Sequence, residues 1–136
     1  MSGQATDPEP GVRARFISEP VTTRQLVMYA GASGDFNPIH YDPDYAVSAG
    51  LGGIIAHGML TMGMAGRCVT DWAGPGRMCT AIRGRFLHPV KPGDCVTYEL
   101  EVTGVGETID LAISGHVGNT QVFSGTAQVV DRARPA

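Results

Sequence analysis

The sequence is short of charge and of aromatic residues, and it has no long hydrophobic run. Asp, Glu, Lys and Arg make up 17% of the 136 residues and aromatics 7%, against a usual charged share of about 25%. Ten basic residues face thirteen acidic ones, for a net charge of −3. No basic run and no interleaving of basic with aromatic residues offers a nucleic-acid platform, so nucleic acid is not an expected partner. No apolar stretch reaches the ~18 residues of a membrane span. The longest, Ile54 to Val69, is interrupted by His57, Arg67 and glycines, so no membrane association is expected. The opening MSGQATDPEPG has neither a basic region nor an apolar core, which argues against a signal peptide. Three cysteines, Cys68, Cys79 and Cys95, cannot all pair within one chain and lack metal-ligand spacing. They read as free thiols in a reducing, cytoplasmic setting. GLGG at 50–53 lacks the lysine of a phosphate-binding loop and the context of a dinucleotide site. Neither a cofactor nor a metal is expected.

A hydrophobic fraction of 43% is enough for one core in a chain of this length, and two full domains are not expected. Residues 1–12, rich in Pro, Gly and acid, read as a flexible N-terminal arm. Residues 13–131 read as one domain and 132–136 as a C-terminal tail. The scarcity of charge suggests that some surface is buried against another subunit.

The chain carries clear punctuation. A short strand is expected near Arg15 to Ser18. Thr22 followed by Gln25 is a capping box, which starts a helix that Gly34 can end. Pro38 forces a bend in the following DFNPIHY, and Asp42-Pro43 opens a second, short helix. Gly58 to Ala73 is apolar around most of its circumference and reads as a helix buried on several sides, stopped by Gly74-Pro75-Gly76. Beyond it the period becomes that of strands, over Met78–Leu87, Asp94–Val105, Thr108–Val117 and Gln121–Val130. Short turns join the last three, so neighbours must run antiparallel. The expected architecture is α+β: an antiparallel sheet with one apolar helix laid in its curve.

The densest polar cluster is Asp35-Phe36-Asn37-Pro38-Ile39-His40. A carboxylate and an imidazole are the side chains best suited to proton transfer near neutral pH. A loop locked by Pro38 can turn both toward one spot. Equally, Asp35 and Asn37 can serve as turn caps and His40 as a structural residue. The second feature is Ala56-His57-Gly58-Met59 at the start of the buried helix. An unpaired N–H there can stabilise an oxyanion, and glycine leaves it accessible. Gly58 can instead serve packing alone, and His57 can line the site or hold the loop. Together the two features point to water addition across a 2-enoyl thioester, which needs a base and a stabiliser for the developing enolate.

The stretch YAGASGDFNPIHYDPDYAVSAGLGGIIAHGMLTMG, with FLHPVKPGDCVTYELEV downstream, resembles the MaoC-like, or hydratase 2, family of (R)-specific enoyl thioester hydratases and dehydratases. GDFNPIHYD, AHGMLTMG and VTDWAGP look closest to the B-type subunit of two-subunit (3R)-hydroxyacyl-ACP dehydratases. The resemblance implies a hot-dog fold, a curved antiparallel sheet wrapped around a long central helix. It also implies a homodimer, or a heterodimer with a related hot-dog subunit, and an acyl-CoA or acyl-ACP thioester substrate. The family's catalytic pair falls on Asp35 and His40, and its oxyanion donor on the Gly58 N–H. Asn37 holds the motif's asparagine place and helps fix the loop. Many members carry a serine on the central helix that supports the aspartate. Here that place is Gly66, so the support is either missing or comes from elsewhere, with Thr61 the candidate. Two alternatives remain: a hot-dog thioesterase, which would release free thiol, and a non-catalytic acyl-binding subunit, which would bind enoyl thioesters without turning them over.

Overall fold

The computed structural model describes residues 8–132. The chain runs β1 (Arg13–Ile17), α1 (Thr23–Ser33), a 3-10 turn (Pro38–His40), α2 (Pro43–Ser48) and α3 (Gly58–Ala73), then β2 (Arg77–Phe86), β3 (Thr97–Val105), β4 (Ile109–Val117) and β5 (Thr120–Asp131). The strands form one antiparallel sheet in the order β1-β3-β4-β5-β2, with β1 and β2 at the edges. Helix α3 packs on one face of it, against β2, β3 and β5. This is the α+β, hot-dog arrangement.

The local signals act as chemistry dictates. The Thr22 hydroxyl accepts from the Gln25 N–H at 3.1 Å and opens α1. Gly34, at φ 76°, closes it and donates to the Ala30 carbonyl at 2.9 Å. That left-handed conformation favours glycine. The Asp42 carboxylate accepts from the Tyr45 N–H at 3.2 Å and caps α2. The core lies between sheet and helix: Tyr98, Leu100 and Val102 of β3, Leu111 and Ile113 of β4, and Phe123 and Val129 of β5 meet Ala65, Val69 and Ala73 of α3.

One cross-strand row decides how the sheet meets the helix. Tyr98, Gly115, Phe123 and Phe86 stand opposite one another on β3, β4, β5 and β2. Gly115 leaves room for both neighbouring rings, since a methyl there would lie 3.2 Å from Phe123 Cβ and 3.3 Å from the Tyr98 ring. The Phe123 ring, wholly buried, lies over Gly84 and Gly125 of the adjacent row. A methyl at Gly84 would overlap that ring, which has no exposed side toward which to move. Gly84→Ala is expected to destabilise the fold by about 1–3 kcal/mol, as overpacking does. Urea unfolding measures it, and an unchanged midpoint would mean that the ring can give way.

The structure differs from expectation in several places. Strand β1 begins at Arg13 and β3 only at Thr97. Residues 94–96 bond to the segment after β1 instead of extending the ladder, through Val21 N–H to Asp94 O (2.9 Å) and Ser18 N–H to Val96 O (2.8 Å). Helix α3 buries Thr61, Ala65, Cys68, Val69 and Ala73, while Met59, Gly63, Arg67 and Thr70 form a solvent face. The sheet covers only one side, and most of that outer face is small or polar. Residues 1–7 of the expected arm lie outside the described residues. Glu9–Val12 form a turn whose Gly11 N–H donates to Val102 O at 2.8 Å. Residues 133–136 of the expected tail also lie outside the described residues.

Candidate active site

The loop after α1 is held by its own side chains. The Asp35 N–H donates to Ser33 Oγ at 3.1 Å, and Asp35 Oδ1 accepts from the Asn37 N–H at 3.2 Å. Asn37 Oδ1 accepts from the Ile39 N–H at 3.3 Å and caps the 3-10 turn that Pro38 begins. The turn delivers His40 to a buried place, 6% exposed. Its Nδ1 lies 2.8 Å from the Ile55 carbonyl. A carbonyl can only accept, so Nδ1 carries a proton, and Nε2 is the ring nitrogen left to exchange one. Nε2 sits 3.7 Å from Oδ2 of the half-exposed Asp35 carboxylate. That is too far for a direct hydrogen bond, so both atoms remain available to a third group.

His57, just before α3, ties this loop to the helix. Its Nε2–H donates to the Asp35 carbonyl at 3.1 Å. Its ring stacks on His40 with centroids 3.8 Å apart and an interplanar angle of 22°. Tyr29 of α1 packs on it in a T-shaped arrangement, with centroids 4.7 Å apart at 61°. Burial holds the His57 pKa below the ordinary 6.5, and the adjacent His40 lowers it further, against the opposing pull of the Asp35 carbonyl. The folded protein therefore keeps this ring neutral. As pH falls below about 6.5 the unfolded chain takes up the proton first, so stability is lost on acidification. His57→Gln retains an N–H donor but does not titrate. Denaturant unfolding at pH 7 and pH 5 is expected to show a smaller acid loss for this variant than for the parent. Parallel losses would exclude His57 as a source of the pH dependence.

Asp35, His40 and His57 place one potential metal-ligating atom each within 4.8 Å of the others. His40 Nδ1 and His57 Nε2 are already bonded to carbonyls, however. The stacked rings also send their remaining lone pairs out in near-parallel planes rather than to one point. The cluster suits proton transfer better than a tetrahedral ion.

Gly58 is the first residue of α3, so its N–H has no acceptor within the helix. Among the described residues no other group accepts from it. A cavity of about 320 Å³ opens beside it, lined by His40, Gly58, Thr61, Phe86, His88 and Val122 among others. Thr61 is buried and its carbonyl accepts from Tyr98 Oη at 2.8 Å. Among the described residues no hydrogen bond joins Thr61 to Asp35, whose carboxylate is held by the Asn37 amide instead. Gly66, where the resemblance sets a serine, faces Ile82 of β2, whose Cδ1 is 3.8 Å from a methyl built there. The structure thus clusters Asp35, His40 and His57, sets His40, Gly58 and Thr61 around one cavity, and puts Asn37 in the loop that carries Asp35. Two wall residues escape a reading of the sequence. Phe86 sits in an ordinary strand pattern, and His88 reads as an isolated surface or core histidine.

The sequence profile of the MaoC-like domain matches residues 5–123. The chain belongs to the MaoC-like domain family. An (R)-specific enoyl-CoA hydratase of Rhodospirillum rubrum is 31% identical over 122 residues, covering 87% of this chain and 85% of the relative. The crystal structure of the R-hydratase PhaJ1 from Pseudomonas aeruginosa superposes with a TM-score of 0.83 at 32% identity, covering 93% of this chain and 84% of that one. The ChsH1–ChsH2 complex from Mycobacterium tuberculosis gives a TM-score of 0.84 at 28% identity, over 91% of this chain and 98% of that chain. The HadBC (3R)-hydroxyacyl-ACP dehydratase of the same organism shares the fold, at TM-score 0.74, 16% identity, and coverage of 89% and 96%. Within this MaoC-like chain the described residues contain no helix long and apolar enough to cross a membrane.

Proposed function

We propose that this MaoC-like chain is a hydro-lyase that adds water reversibly across trans-2-enoyl thioesters to give (3R)-3-hydroxyacyl thioesters, and runs the reverse dehydration. The observation that carries this reading is the 3.7 Å approach of His40 Nε2 and Asp35 Oδ2 at the edge of a cavity that His40 shares with the free Gly58 amide. In the dehydration direction the Asp35 carboxylate takes the C2 proton. The Gly58 N–H receives the negative charge that develops on the thioester oxygen. His40, protonated, gives its Nε2 proton to the departing C3 hydroxyl, which leaves as water. Hydration retraces these steps, with neutral Nε2 drawing a proton from water as it attacks C3. The Ile55 carbonyl keeps the His40 ring in the orientation this needs. Asn37 fixes the loop, His57 fixes the distance from Asp35 to α3, and Thr61 lines the acyl cavity.

The substrate is an acyl-CoA or acyl-ACP thioester. The edge position of β2 among the described residues and the ChsH1–ChsH2 complex among the structural neighbours support a homodimer or a heterodimer with a related hot-dog subunit. Three free thiols are in keeping with a reducing, cytoplasmic setting. Incubation with crotonyl-CoA tests the reading: the enoyl absorbance falls while no free thiol appears. Thiol release would make the chain a thioesterase, and binding without turnover would make it an acyl-binding subunit.

A further inference from the structure

Phe86 ends β2 and is half exposed, with one side of its ring turned to the start of α3. Two of its ring carbons, Cδ2 and Cε2, lie 2.9 Å from where a side chain on Gly58 would begin. The ring therefore covers the flank of the residue that carries the free amide. Behind it stands Phe123, with ring centroids 5.9 Å apart at 44°. Phe123 is itself pinned over Gly84 and Gly125 and cannot retreat. Phe86 thus forms a backed wall of the cavity that also holds His40 and Thr61.

We infer that Phe86 is a specificity-determining residue whose ring narrows the cavity beside the Gly58 amide, so that the site favours enoyl thioesters unbranched at C2 and C3. The inference rests on the hydratase reading of the site. A thioester oxygen held by that amide puts C2 and C3 within two bonds of the bound carbonyl carbon. A methyl on either carbon adds volume where the wall is backed by Phe123. In an apolar pocket one methyl changes selectivity by about 10- to 200-fold. Phe86 has no group that can exchange a proton, so its effect belongs in the ratio of substrates rather than in the chemistry.

The experiment compares kcat/KM for crotonyl-CoA with that for 2-methylcrotonyl-CoA and 3-methylcrotonyl-CoA, in the parent and in Phe86→Leu and Phe86→Ala. The parent is expected to favour crotonyl-CoA. The branched-to-straight ratio is expected to rise at least about tenfold in Phe86→Ala and by less in Phe86→Leu. A ratio unmoved in both variants, or an equal loss on every substrate, would overturn the inference. Should Phe86→Ala fail to fold, Phe86→Leu keeps an apolar side chain on Phe123 and decides alone. Failure of the parent to hydrate any of the three substrates would count against the hydratase reading instead, and so is distinguishable.

Discussion

Asp35→Asn is expected to lower kcat by at least about 10²-fold, the usual contribution of a positioned general acid or base. The substitution isolates the chemistry from the scaffold. Asparagine retains the oxygen that accepts from the Asn37 N–H, and the backbone carbonyl that receives His57 Nε2–H is untouched. The loop should therefore keep its shape, and thermal unfolding should change little. KM should also move little, because the cavity proposed to take the acyl group is lined by His40, Gly58, Thr61 and Phe86 among others and not by Asp35. A loss in kcat at nearly constant KM is the mark of a group that acts only as the transition state forms. An Asn variant with a near-normal rate would remove Asp35 from the proton path.

The second large effect concerns the Gly58 amide, which only proline can delete. Proline is tolerated in the first helical position, where the N–H has no intrahelical partner. The residue before a proline prefers extended backbone, and His57 is already extended at φ −60°, ψ 133°. Any side chain at 58 also presses on Phe86, so Gly58→Ala is the proper reference. It adds the same first carbon and keeps the N–H. Gly58→Pro is expected to lose a further ~10²- to 10³-fold in kcat relative to Gly58→Ala, the cost of one oxyanion donor. Equal rates for the two variants would mean that the amide plays no part.

The local placement of these two residues was legible in the sequence because their surroundings are local. Asp35 and Asn37 bond to amides two residues away, and Gly58 is marked by the helix it opens. The capping threonine at 22, Asp42-Pro43 and the Gly-Pro-Gly stop were legible for the same reason. His57 lies 22 positions from Asp35, and nothing in the spacing says that its ring will stack on His40 rather than line the pocket. Phe86 acquires its place only through register: the pairing of β2 with β5 sets it beside Phe123 and against Gly58. Helix α3 is less buried than its composition suggests because a sequence average does not tell which side of a helix the sheet will cover. Met59 is 58% exposed in the folded chain although it lies in the most apolar run.

The central claim is that carboxylate, imidazole and helix amide face one bound molecule. A crystal structure of the Asp35→Asn variant with crotonyl-CoA tests it most directly. The thioester oxygen should lie about 2.7–3.1 Å from the Gly58 nitrogen, with C2 and C3 between residue 35 and His40 Nε2. A thioester seated in another cleft, or one whose oxygen turns away from Gly58, would contradict it.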